Sequence, residues 1–185
     1  MAGALIKIDE FTVSSAVDSV ILGGGSSGSS GLNTSIDSTY DVYMVQYHNV
    51  VPVTDNQEVR MRFTEGGTPN TSANYDYAYK IIETLAAGFE DFPATNQTYF
   101  RGVRYGNNTG EAGNATLYLF NMNSTTEYAF YTLEENAYIN GAATIAGCTG
   151  GGVLTVTGTA RDGIEFSFPS GNINSGSFSL FGLAK

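Results

Sequence analysis

At 185 residues the chain has room for one domain, 1–185, whose core needs neither disulfides nor a metal, and two domains would be cramped. Eight Lys and Arg against 18 Asp and Glu leave a net charge of −10, which repels phosphate backbones and argues against nucleic-acid binding. No segment approaches the roughly 20 apolar residues of a membrane helix, and no basic region leads into a long apolar run at the start. The expectation is therefore cytoplasmic synthesis without a signal peptide and no membrane insertion.

Twenty-three glycines, 12 tyrosines and 11 phenylalanines favour strands joined by tight turns. Leu5 to Val13 and Val17 to Leu22 read as short strands, and the Gly/Ser-rich residues 23–37 that follow read as a flexible loop. Tyr40-Asp-Val-Tyr-Met-Val-Gln-Tyr-His-Asn-Val-Val carries apolar or aromatic residues on both alternating faces, the pattern of a central strand covered on each side. Pro52 to Gln57 reads as a hairpin turn into Glu58-Val-Arg-Met-Arg-Phe-Thr, where Val59, Met61 and Phe63 share one face and Glu58, Arg60, Arg62 and Thr64 the other.

Period-two spacing then puts Tyr75, Tyr77 and Tyr79 on one face, while Ile81, Ile82, Leu85, Ala86 and Phe89 have helical spacing, so strand and short helix compete there. Further strands are predicted at Tyr99 to Tyr105, Ala115 to Phe120, Glu127 to Leu133, Gly152 to Thr159, Ile164 to Phe168 and Ser177 to Leu183. Asp162-Gly163 reads as a two-residue hairpin turn with positive φ at both positions. Strands at this spacing predict an all-β, single-domain antiparallel sandwich of jelly-roll type.

Chemistry has few residues to run on. With His48 the one histidine and Cys148 the one cysteine, no nucleophile elbow and no zinc-ligand spacing is present. The loop Gly106-Asn-Asn-Thr-Gly-Glu-Ala-Gly-Asn has a single carboxylate, Glu111, too few for a calcium loop, and no cofactor fingerprint appears. Glycoside hydrolysis needs only two carboxylates, and Glu83, Glu90, Asp91, Glu111, Glu127, Glu134, Glu135 and Glu165 supply them, though any acidic sandwich does the same. No catalytic, cofactor or metal residue is assigned, and the expectation is a protein that is not an enzyme. The tyrosines are the remaining candidates, stacking on sugars or filling a subunit interface, with Tyr75, Tyr77 and Tyr79 foremost.

Several stretches are similar to the short virion structural proteins of marine tailed phages, the cyanophage type in particular. The resemblance spans most of the chain: Ala-Leu-Ile-Lys-Ile-Asp-Glu-Phe with Val-Ser-Ser-Ala-Val-Asp-Ser-Val, Ser38-Thr-Tyr-Asp-Val-Tyr-Met-Val, Val59-Arg-Met-Arg-Phe, Ser72-Ala-Asn-Tyr-Asp-Tyr-Ala, Leu117-Tyr-Leu-Phe-Asn and Ser170-Gly-Asn-Ile-Asn-Ser-Gly-Ser-Phe-Ser-Leu-Phe-Gly-Leu. These are strand patterns without a catalytic motif, and the Gly/Ser loop after Leu22 departs from the family. The resemblance implies a capsid decoration or head-fibre protein located on the virion. Its partners would be other capsid or tail proteins and further copies of itself, as a trimer. Residues 1–13 would then be an anchoring arm, with Leu5, Ile6, Ile8 and Phe11 as its contacts. The alternative is a tail appendage or an adhesive carbohydrate-binding module recognising host surface glycans.

Overall fold

The computed structural model describes residues 3–84, 89–139 and 144–184. Strands β1 (Leu5–Val13), β3 (Val42–Pro52), β6 (Tyr75–Glu83), β7 (Phe89–Gln97), β9 (Gly113–Phe120), β10 (Ala129–Ile139), β11 (Thr144–Leu154) and β13 (Ile173–Leu183) form one eight-stranded antiparallel sheet, in the order β1-β13-β3-β9-β10-β11-β6-β7. Strands β2 (Ser19–Gly23), β4 (Gln57–Glu65), β5 (Thr68–Pro69), β8 (Phe100–Tyr105) and β12 (Gly163–Ser167) form a second sheet ordered β2-β12-β4-β5, with β8 also paired to β4. Among the described residues there is no helix, and hence none long and apolar enough to cross a membrane. The thirteen strands exceed the eight of a simple jelly roll.

The two sheets stack on a core rich in aromatic rings. Phe100 of the small sheet packs against Tyr75 and Tyr131 of the large one, at centroid distances of 4.6 and 4.3 Å. Phe166 meets Tyr47 and Phe178 in the same way, at 5.3 and 5.4 Å. β4 follows its alternation, with Val59, Met61 and Phe63 buried and Arg60 and Arg62 turned outward. Thr64 is the exception, buried because its hydroxyl donates to Asp162 Oδ1 at 2.6 Å.

Two expected hairpins are instead crossings between sheets. β3 finds its neighbours in β13 and β9, and β4 in β12, β5 and β8, so Pro52 to Gln57 carries the chain from one sheet to the other. The segment has the residues of a turn, but the apolar face of β4 is satisfied by stacking over the large sheet rather than by lying beside β3.

Asp162-Gly163 likewise joins β11 to β12 across the sandwich, and the connection places its positive φ at Gly158 (98°). Asp162 is a tie point. Its carboxylate accepts from Thr64 Oγ1 and from Gly67 N (2.8 Å), and its carbonyl from Gly24 N and Ile36 N (both 2.8 Å). Asp162→Ala should therefore lower the unfolding free energy by about 2–3 kcal/mol, because two donors are left without their acceptor. A urea melt reads this, and a change within about 0.5 kcal/mol would remove the tie from the account.

The same ties fix the Gly/Ser segment that the composition predicts to be flexible. Gly25 N donates to Thr34 O, Ser29 N to Ile21 O, and Ile36 is 2% exposed. Gly23, Gly24 and Gly25 take φ of 69°, 73° and 60°, a left-handed run that side-chain-bearing residues resist, so the glycines shape this loop rather than loosen it. The anchoring arm expected at residues 1–13 is, from Leu5 to Val13, a paired strand of the fold. β1 pairs along its length with β13, and its buried Asp9 accepts from Gly23 N at 2.8 Å.

The competition between strand and helix after Tyr79 resolves to strand for Ile81 and Ile82 in β6 and for Phe89 in β7. Leu85 and Ala86 lie outside the described residues.

Candidate functional site

One face of the large sheet looks into the sandwich, and no element among the described residues covers the other. Strand register arranges the uncovered face in rows. One row runs Phe181, Met44, Tyr118, Thr132, Gly151, Ala78, Pro93, and its neighbour runs Val42, Phe120, Phe130, Val153. Met44 is only 4% exposed although it lies outside the core between the sheets, because it sits between Phe181 and Tyr118. Ala78, Pro93, Phe120, Phe130, Gly151 and Val153 line an apolar groove of about 490 Å³ on this half.

The other half of the face is polar. The next row runs Ser179, Gln46, Thr116, Glu134, Thr149, Lys80, Asp91, with His48, Asn114 and Asn136 beyond it. Lys80 and Asp91 form an ion pair, and the Thr149 hydroxyl donates to Glu134. Gln46, His48, Asn114, Thr116, Glu134 and Asn136 line a depression of about 390 Å³.

Behind this face, between the sheets, lies a carboxylate that no cation pairs among the described residues. Glu135 of β10 is 4% exposed. Its Oε1 accepts from the Tyr105 hydroxyl and from the Tyr47 hydroxyl at 3.0 Å, and its Oε2 from Val103 N at 2.8 Å and Cys148 Sγ at 3.2 Å. The Tyr47 and Tyr105 hydroxyls are themselves 2.7 Å apart. These donors come from β3, β8 and β11, so one carboxylate fastens both sheets.

Burial pushes the Glu135 carboxyl above its ordinary range, against the lowering effect of the hydrogen bonds from Tyr105, Val103, Cys148 and Tyr47. Burial, and after it the charge of Glu135, pushes Tyr47, Tyr105 and Cys148 up as well, so the thiol stays protonated and is a poor nucleophile. His48 stands on the opposite side of the sheet from Cys148 and Glu135, and the three are not brought together.

The remaining carboxylates are scattered. Glu83 and Glu90 border a separate notch of about 200 Å³ with Arg101 and Arg104, and Glu165 pairs with Arg62 at 3.2 Å on the outer face of the small sheet. On that face Arg60 stacks over Tyr99, 4.1 Å from its centroid, and Arg101 pairs with Glu58 at 2.7 Å, so the guanidiniums of Arg60, Arg62 and Arg101 already have partners. Glu111 is buried and accepts from Asn108 N at 2.9 Å. Among the described residues no group of three or more His, Cys, Asp or Glu could hold a metal ion.

The contact residues expected from sequence are separated by the fold. Leu5 and Ile6 are 47% and 44% exposed at the start of edge strand β1, whereas Ile8 and Phe11 are partly buried against the core. Tyr75, Tyr77 and Tyr79 do share a face, but it is the inward one. They are 0%, 7% and 5% exposed, so they are core residues and not partner contacts. The residues that reasoning from sequence missed are Phe120, Phe130, Gln46 and His48, whereas Tyr118, one of the tyrosines it offered for a sugar or a subunit interface, does stand on the outer face. Their signal was the second, outward set of apolar residues in β9 and β10, where Phe130 alternates with Tyr131.

Comparison with protein-family models, with curated proteins and with solved structures finds no match for this chain.

Proposed function

We propose that the chain is a non-enzymatic structural protein of a phage particle, a capsid decoration or head-fibre protein that docks on a neighbouring virion protein through the apolar half of its large sheet. The observation that carries this reading is the uncovered groove. In an antiparallel sandwich the solvent face of a sheet is normally polar, yet here Phe130 stands 42% exposed beside Phe120, Val153 and Pro93. An exposed aromatic anchor, Phe130, over a floor of small residues, Gly151 and Ala78, suits the central contact of a protein interface. The resemblance of its strand patterns to cyanophage virion proteins supports the particle as the setting. The rigid, hydrogen-bonded Gly/Ser loop fits a part that holds its shape on a surface.

Mass spectrometry of purified particles tests the setting, and absence of the chain from the virion overturns it. The contact is tested by Phe130→Ser. This change should lower stability by no more than about 1 kcal/mol, since the ring is half exposed, while reducing incorporation into particles about tenfold or more. Wild-type incorporation of a folded Phe130→Ser chain would rule the groove out as the docking surface.

A further inference from the structure

The polar half of the same face has hydrogen-bonding groups that the protein itself leaves unused. Among the described residues, the side chains of Gln46, His48 and Thr116 make no hydrogen bond within the chain, and all three line the depression with Glu134 and Asn136. The depression forms where β3 bulges between Tyr47 and Val50. Asn49, at φ 53°, donates its N–H to Asn114 Oδ1 at 3.0 Å, and Asn114 Nδ2 donates to Asn136 Oδ1 at 3.3 Å, so the two amides of the floor are held in place.

Aromatic rings stand at both ends. Tyr118 lies opposite Thr132, and Tyr138, 43% exposed, is on the same face six residues beyond Thr132 on β10, roughly 20 Å away at the rise of a strand. Glu134 and Asn136 occupy the interval.

We propose that this depression binds a neutral oligosaccharide. A sugar ring presents hydroxyls that donate and accept around its rim and C–H faces that pack on aromatic rings. Amide, imidazole, hydroxyl and carboxylate side chains offer both hydrogen-bonding senses, and Tyr118 and Tyr138 offer the rings. The two tyrosines span a distance that suits a short chain of sugars rather than one. A protein partner would need apolar anchors, and these lie in the other half of the face. An anionic glycan or a nucleic acid is opposed by Glu134 and by the net charge of −10, and Lys80, in the same row as Glu134, is already paired with Asp91.

The test uses the intact chain on an immobilised panel of neutral and anionic oligosaccharides. The best-retained neutral oligosaccharide is then titrated by calorimetry into wild type, Tyr118→Ala, Gln46→Ala and Phe130→Ser, after a thermal melt has shown each variant folded. Neutral members should be retained over anionic ones. Tyr118→Ala and Gln46→Ala should each weaken binding about tenfold or more, with Phe130→Ser unchanged. Retention of no neutral oligosaccharide, preference for anionic ones, or binding indifferent to both Tyr118→Ala and Gln46→Ala overturns the assignment. Because particle incorporation is read on Phe130→Ser and sugar binding on the other two variants, failure of one reading leaves the other standing.

Discussion

Replacing Glu135 with alanine is expected to lower the unfolding free energy by about 3–5 kcal/mol, whereas glutamine at the same position should leave it within about 1 kcal/mol of wild type at neutral pH. Alanine removes the shared acceptor of four donors inside the core, leaving Val103 N–H without a partner and a void between the sheets. Glutamine keeps the shape. Its carbonyl can take the place of Oε2, accepting from Val103 N and Cys148 Sγ, while its amide faces the two tyrosine hydroxyls, which can turn to accept. It also avoids the cost of a buried charge with no cation beside it. Urea denaturation of the three proteins decides the matter. A Glu135→Gln variant as unstable as Glu135→Ala would mean that the ionised carboxylate is itself what holds the sheets.

The pH dependence of the same pair has a definite sign. Burial raises the Glu135 carboxyl in the folded chain above its ordinary value of 4.5, so its favourable contribution is complete below that value. As pH climbs from 4.5 through the raised folded value, the unfolded chain gives up its proton first and stability is lost. Tyr47, Tyr105 and Cys148 are pushed up and add no titration of their own in this range. Glutamine has no proton to lose, so the difference between wild type and Glu135→Gln should move in favour of the variant as pH rises from about 4 to 8. A difference that stays flat, or that moves toward wild type, contradicts the raised carboxyl.

The local pattern carries much of this architecture, and the pairing of distant strands carries the rest. β1 was legible to its ends, and the faces of β4 were legible except at Thr64, because alternation between apolar and charged side chains is a local signal. β7 was hidden by Pro93 and its acidic residues, which an edge strand tolerates because one side of its backbone needs no partner. The start of β11, Thr-Ile-Ala-Gly-Cys-Thr-Gly-Gly-Gly, has too few side chains to show which way it folds, and its glycines make room for the rings of Tyr79 at Gly150 and Tyr131 at Gly152.

The turn residues between β3 and β4 look alike whether the chain doubles back or crosses to the other sheet, so sheet membership was not legible there. The core carboxylate was half legible. Glu135 shares parity with Tyr131, Leu133 and Ala137, which marks its face as inward and that of Glu134 as outward. Its donors lie 88, 32, 30 and 13 residues away, at Tyr47, Val103, Tyr105 and Cys148, and nothing local announces them. On the outer face, parity assigns Phe120 and Phe130 to one side of their strands, but only the register of the whole sheet gathers them beside Ala78 and Pro93 into a groove.

Gly102→Ala is expected to cost about 2–4 kcal/mol, and to cost less when Glu135 has already been replaced by alanine. A Cβ at position 102 would lie 2.4 and 2.5 Å from the two carboxylate oxygens of Glu135 and 2.5 Å from Val59 Cγ1. The backbone there is outside the left-handed region, so the demand for glycine comes from these contacts alone. In the wild-type background the added methyl drives the carboxylate off Val103 N–H, and the loss combines overlap with an unsatisfied donor. In the Glu135→Ala background the two oxygen contacts are gone, and of the three nearest atoms only the Val59 methyl stays. The two changes should therefore fall short of additivity by about 1–3 kcal/mol. Gly163→Ala is the control. Its Cβ would strike the backbone of Gly24 and Leu22, at 2.6 Å each, and it shares no partner with Glu135, so that pair should add within about 0.5 kcal/mol. If the Gly102 cycle is as additive as the Gly163 cycle, the glycine is not there to seat the carboxylate, and the clasp between the sheets owes its geometry to something other than the space Gly102 leaves open.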